Sequence, residues 1–214
     1  DSIAITDRFN KAVNWDTGEM EIPANIKSMT GIVMFDGEKW VICPYAYGEN
    51  KAIVAEPQPE DIVVNVTEGD IAAAVEAAKA EVAKVGKITI NLTEGAAYTI
   101  ANSIVAPASL VINGNGATVD ATGLGANMIT TDAAEPAEWV TIDSIAVKDV
   151  TVKGLGKALY YSAIKNQNIQ NFIVDNSVVE IVKDVTVFDF TKGSVAMNFT
   201  VKNSTLYAPT ATTK

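Results

Sequence analysis

Apolar and polar residues alternate through much of this chain, and near the C-terminus the alternation itself repeats. Asn171-Phe-Ile-Val-Asp-Asn-Ser177 returns as Asn198-Phe-Thr-Val-Lys-Asn-Ser204, and Ser144-Ile-Ala-Val-Lys-Asp-Val150 precedes both, in steps of 27 residues (144 to 171 to 198). A constant period carried by β-forming residues predicts stacked β tiers. At that spacing Ile145, Phe172 and Phe199 form one apolar column, Val147, Val174 and Val201 a second, and Val152, Val179 and Leu206 a third. Asp149, Asn176 and Asn203 share a turn position, where an Asx side chain tolerates left-handed backbone and bonds to the tier above or below. Charges align as well: Lys148, Asp175 and Lys202 in one column, Lys153 with Glu180 in another, and Lys157 with Asp184 in a third. Opposite signs on neighbouring strands fix register more than they add stability.

Upstream, short alternating runs over 87–92, 109–113 and 139–142 read as further strands, broken by Gly, Asn and Asp. Thr67-Glu-Gly-Asp70 has capping-box spacing, and Ile71, Val75, Ala78, Val82 and Val85 fall on one stripe. A helix over about 70–85 is expected, closed by Gly86. Glu56-Pro-Gln-Pro-Glu-Asp61 reads as a linker. It separates residues 1–55, a small antiparallel β region, from residues 62–214. Within the first part, strand-like 30–35 and 39–43 flank Asp36-Gly37, a hairpin turn signal.

The amphipathic helix, the Ile-rich strands, Ser109-Leu-Val-Ile-Asn-Gly-Asn-Gly116 and the repeating Asx turns resemble the pectate-lyase-like right-handed parallel β-helix over roughly residues 62–209. The nearest likeness is to the uncharacterised β-helix modules of Bacteroidetes surface lipoproteins. The resemblance implies an all-β fold, a right-handed parallel β-helix whose leading helix caps the N-terminal end of the stack. Residues 1–55, with Thr6-Asp-Arg-Phe9 and Gly31-Ile-Val-Met-Phe-Asp-Gly37, faintly resemble the latter part of a small β-barrel domain.

Composition narrows the chemistry. The formal net charge is -10, which disfavours nucleic acid and anionic membrane surfaces. No run of 18 or more apolar residues occurs and no charged-then-apolar leader opens at Asp1, so membrane insertion is not expected; a start at Asp1 without Met leaves export open. Histidine is absent, Arg8 is the single arginine and Cys43 the single cysteine. This removes His-centred catalysis, internal disulfides and Cys-rich metal sites. Cys43 lies in the apolar run Trp40-Val-Ile-Cys-Pro44 and reads as a buried, inert thiol.

For a polysaccharide lyase, the resemblance implies a basic proton abstractor beside calcium-binding carboxylates, but Arg8 falls outside the helical stack and the repeat lysines face acids. A hydrolase needs two suitably spaced carboxylates. Asp132, Glu135, Glu138 and Asp143 invite that reading, or calcium binding, yet the segment reads better as a solvated loop. Gly114-Asn-Gly116 and Gly154-Leu-Gly156 are turn glycines, since neither opens a helix.

Trp139, Tyr160 and Tyr161 are the candidate ligand-binding residues, because aromatic faces stack on sugar rings. The expectation is therefore a non-catalytic, extracellular or cell-surface β-helix module for glycan binding, adhesion or structural support, with no cofactor and no metal. The alternatives are a polysaccharide lyase or glycoside hydrolase, and an element that self-associates through an uncapped stack end after Leu206.

Overall fold

The structure is a computed structural model describing residues 4–6, 22, 25–45, 53–106, 109–131, 139–182, 185–190 and 192–209. Arg8 and most of Thr6-Asp-Arg-Phe9, Asp132, Glu135, Glu138 and Asp184 lie outside the described residues. The chain divides into two compact units, Asp1–Gln58 and Pro59–Lys214, and the division falls inside the proline-and-acid segment 56–61.

The first unit contains β1 (Ala4–Ile5), β2 (Ile26–Met29), β3 (Gly31–Phe35), β4 (Trp40–Pro44) and β5 (Ile53–Ala55). β3 and β4 form the hairpin, with Phe35 opposite Trp40. Its turn is held by the Asp36 carboxylate, which accepts the N–H groups of Glu38 and Lys39 at 2.9 Å each. Those two donors, Lys39 first, hold the Asp36 carboxyl below its ordinary range. Gly37 supplies the positive φ of 109° that the turn requires. β2 and β5 pair antiparallel, but β1 joins β4 in parallel, so the region is mixed rather than wholly antiparallel. Cys43 is fully buried.

Apart from one helix, the regular elements of the second unit are all strands. It contains β6 (Glu60–Val66), α1 (Ile71–Lys79), β7 (Val85–Leu92), β8 (Ala97–Thr99), β9 (Ile104–Ala106), β10 (Leu110–Asp120), β11 (Ile129–Thr131), β12 (Val140–Leu155), β13 (Tyr160–Tyr161), β14 (Gln167–Asp175), β15 (Val178–Ile181), β16 (Phe188–Asp189), β17 (Val195–Lys202) and β18 (Thr205–Tyr207). A nine-stranded sheet runs β17-β14-β12-β10-β7-β6, with β8, β15 and β18 beside this path, and a four-stranded sheet runs β16-β13-β11-β9. Every strand pairing in both sheets is parallel. Parallel sheets bury their apolar faces, and here side chains of both sheets join one core.

Register extends the apolar columns beyond the visible repeat. Ile62, Ile88, Leu110, Ile145, Phe172 and Phe199 are successive partners, as are Val64, Ile90, Ile112, Val147, Val174 and Val201. The third column pairs Val152 with Val179 and Val179 with Leu206. The shared turn position is left-handed as expected, with φ of 52° at Asp149, 46° at Asn176 and 53° at Asn203. Asn176 Nδ2 donates to Asp149 Oδ1 at 2.8 Å. A second amide ladder, Asn65 to Asn91 to Asn113, runs on the earlier strands through bonds of 3.0 and 2.9 Å.

The helix is shorter than its stripe implied. Asp70, not Thr67, is the N-cap and accepts the Ala72 N–H at 2.9 Å. The last turn tightens, with Glu81 N–H bonding to the Ala78 carbonyl and Val82 N–H to that of Lys79. The chain then leaves to pair Val85 with Glu60 in β7, so strand pairing overrides the helical stripe. Gly86 lies in that strand, where a Cβ would sit 2.6 Å from Asp61 Oδ1. α1 buries Ile71, Ala72 and Val75 against the core and packs on β6 and β9, the first strands of the two sheets.

The charge columns are also revised in part. Lys148 and Asp175 are register partners, and Lys202 meets Asp175 at 3.3 Å. Lys153, however, is the partner of Asp120, while Glu180 accepts the Tyr207 hydroxyl at 2.9 Å. A register shift between Val152 and Leu155, where Gly154 takes φ +69°, moves Lys153 out of line with Glu180.

Candidate functional site

The aromatic residues singled out from the sequence land in three places. Tyr160 and Tyr161 are consecutive in β13, and successive side chains of a strand point to opposite faces. Tyr160 is 0% exposed. Its ring lies 5.1 Å from that of Phe172, and Phe190 and Phe172 flank it within one aromatic cluster. Burial pushes its phenol far above the ordinary range. Tyr160 is therefore a core residue, and the ligand-binding expectation is corrected for it: no ring face remains for a sugar. Trp139 is 55% exposed just before β12, in the other sheet.

Tyr161 alone of the three lines a groove, of about 440 Å³, on the outer side of the four-stranded sheet. Three chain passages build it. Asn127 precedes β11, Lys157 and Tyr161 come from the approach to β13 and its end, and Thr186 and Asp189 come from β16 and the residues before it. β13 and β16 place Tyr161 directly beside Asp189. Asn127 is fixed at both carbonyls, its Oδ1 accepting the Ala158 N–H at 3.1 Å and its backbone oxygen accepting the Ser103 hydroxyl at 2.6 Å. A second hollow of about 200 Å³ shares Gly125 and Lys157 with the groove and extends along Thr122, Leu124 and Val182.

The groove thus combines one aromatic ring, one ammonium, one carboxylate, an amide and a hydroxyl. Among the described residues no group of three or more His, Cys, Asp or Glu side chains is placed to hold a metal, and no helix is long and apolar enough to cross a membrane. Lys157 entered the sequence reading only as a charge partner of Asp184; Asn127, Thr186 and Asp189 were missed. Their convergence depends on pairing among strands of two and three residues, too short to show a pattern.

A family model matches residues 74–209, described as Domain of unknown function (DUF4957). The match spans more than half of the 214 residues. The chain belongs to this family. The DUF4957 span runs from within α1 through β18 and contains every described residue of the groove. No curated protein and no solved structure matches the chain.

Proposed function

We propose that the second unit is a right-handed parallel β-helix acting as a non-catalytic, extracellular or cell-surface module, and that its groove beside Tyr161 binds a glycan. The parallel pairing of every described strand in both sheets supports the fold reading. Each parallel return needs a crossover, and here the crossovers carry the strands of the second sheet. The observation that carries the functional reading is the placement of Tyr161 in a groove with Lys157, Asn127 and Asp189. A pyranose has an apolar C–H face and an equatorial ring of hydroxyls, which suits one aromatic side chain surrounded by donors and acceptors. With both Asn127 carbonyls engaged, its amide donors are the atoms offered to a sugar hydroxyl. The described lining supplies one carboxylate, Asp189, where glycoside hydrolysis uses a pair.

A glycan array of host and plant polysaccharides tests this reading, read for the whole chain and for Tyr161→Ala. Reproducible binding weakened about tenfold or more by the substitution is expected, since a central aromatic anchor carries a large share of binding energy. Silence across the array, or binding indifferent to Tyr161→Ala, overturns it.

A further inference from the structure

We propose that the outer edge of β17 and β18 is a docking surface for one extended segment of another polypeptide, laid parallel to β17 and carrying a carboxylate opposite Lys202. β17 meets β14 on one side and ends the described sheet on the other. Phe199 and Val201 continue the columns of Phe172 and Val174. The inner pair is 0% exposed, whereas Phe199 is 47% and Val201 38% exposed. Among the described residues, these side chains have the chemistry of a buried tier without a tier above them.

Two independent features state what the occupant must bring. The first is the direction of the amide ladders. In five side-chain-to-side-chain bonds between tiers, the later residue donates Nδ2 to the earlier residue's Oδ1: Asn91 to Asn65, Asn113 to Asn91, Asn176 to Asp149, Asn198 to Asn171 and Asn203 to Asp175. Asn198 and Asn203 end this series, so their Oδ1 atoms are the acceptors next in line for donors from an added strand. The second is charge. Lys148, Asp175 and Lys202 alternate in register, which calls for an acid in the next place. Residues 192–209 contain Lys192 and Lys202 and no Asp or Glu, although the chain as a whole carries -10. A second copy meeting this edge tail to tail would set one lysine-bearing edge against another. An acidic partner strand with apolar residues facing Phe199 and Val201 and an Asn facing Asn203 satisfies both features, by the strand-addition mode in which backbone bonds give affinity and side-chain columns give register.

The probe is a labelled synthetic peptide with the sequence of residues 167–181, the segment that meets β17 and β18 from their other side. Its anisotropy is followed on titration with the whole chain. Saturable binding is expected, weakened about tenfold or more when the peptide carries Lys in place of its Asp, and recovered when that peptide meets the Lys202→Glu chain. Phe199→Asp should abolish binding of the unchanged peptide. Absence of saturable binding, or affinity indifferent to the charge exchange, overturns the proposal. Sedimentation showing a concentration-dependent dimer lost in Phe199→Asp also overturns it, by assigning the edge to a second copy.

Discussion

The β14–β15 tier and the β17–β18 tier are nearly the same object in two situations. Both present Phe and Val at matching places, both turn through a left-handed Asn, and both follow the turn with a serine. Ser177 Oγ accepts the Val150 N–H at 3.4 Å, and Ser204 Oγ accepts the Ser177 N–H at 3.1 Å, so one device recurs from tier to tier. Phe172 and Phe199 even stack, with ring planes 7° apart. Yet, among the described residues, one tier is sealed on both sides and the other on one side. Burial here is conferred by the neighbour, not by the residue type, and equal sequence does not mean equal contribution to stability.

The largest break in this comparison comes from truncating its central pair. Phe172→Ala should cost about 3–5 kcal/mol in urea unfolding of the second unit, and Phe199→Ala roughly half of that or less, because Phe199 vacates space already open to solvent. Glycines give the next effect. Gly154 in β12 has φ +69°, and a Cβ there would collide with Thr122 Oγ1. Gly193, before β17, has φ +98° but meets nothing closer than 3.8 Å. Gly154→Ala should therefore destabilise by about 2–3 kcal/mol and Gly193→Ala by about 1 kcal/mol, measured in the same titration. Ser177→Ala removes a buried bridge that also donates to the Asp175 carbonyl at 2.8 Å, and should cost about 1–2 kcal/mol, more than Ser204→Ala on the exposed tier.

Acid gives the smallest effect and separates the tiers by direction alone. Desolvation raises the Asp175 pKa, but hydrogen bonds from Asn203 and Lys202 and the Lys202 charge outweigh it, holding the carboxyl below its ordinary range. A depressed folded pKa contributes stability above the unfolded value of about 3.9, and that contribution disappears as pH falls through the folded value. Acidification below about pH 4 should therefore loosen β17 from β14 before it affects β12, a difference visible as faster amide exchange in residues 198–203.

The last three tiers were legible because 27-residue spacing leaves matching letters in the sequence. The earlier ones were not, since Ile62, Ile88, Leu110 and Ile145 occupy one column at steps of 26, 22 and 35 residues (62 to 88, 88 to 110, 110 to 145). Loops of unequal length do not disturb a parallel register, but they erase its period. The helix was legible as a helix and not in its length, because Val85 suits a helical stripe and a strand equally well until Glu60 of β6 claims it, while Val82 closes the tightened last turn. Of the two adjacent tyrosines singled out, Tyr161 lines the groove and Tyr160 lies in the core, as strand alternation requires of neighbouring residues. The groove's polar partners come from separate chain passages, and only the fold brings them together.

Amide hydrogen exchange of the intact chain, compared between β14 and β17, tests the central claim most directly. If burial by neighbouring tiers sets stability, amides of residues 169–174 should exchange at least about a hundredfold more slowly than those of residues 196–201, despite their matching sequence. Equal protection of the two strands, or slower exchange in β17, would contradict it.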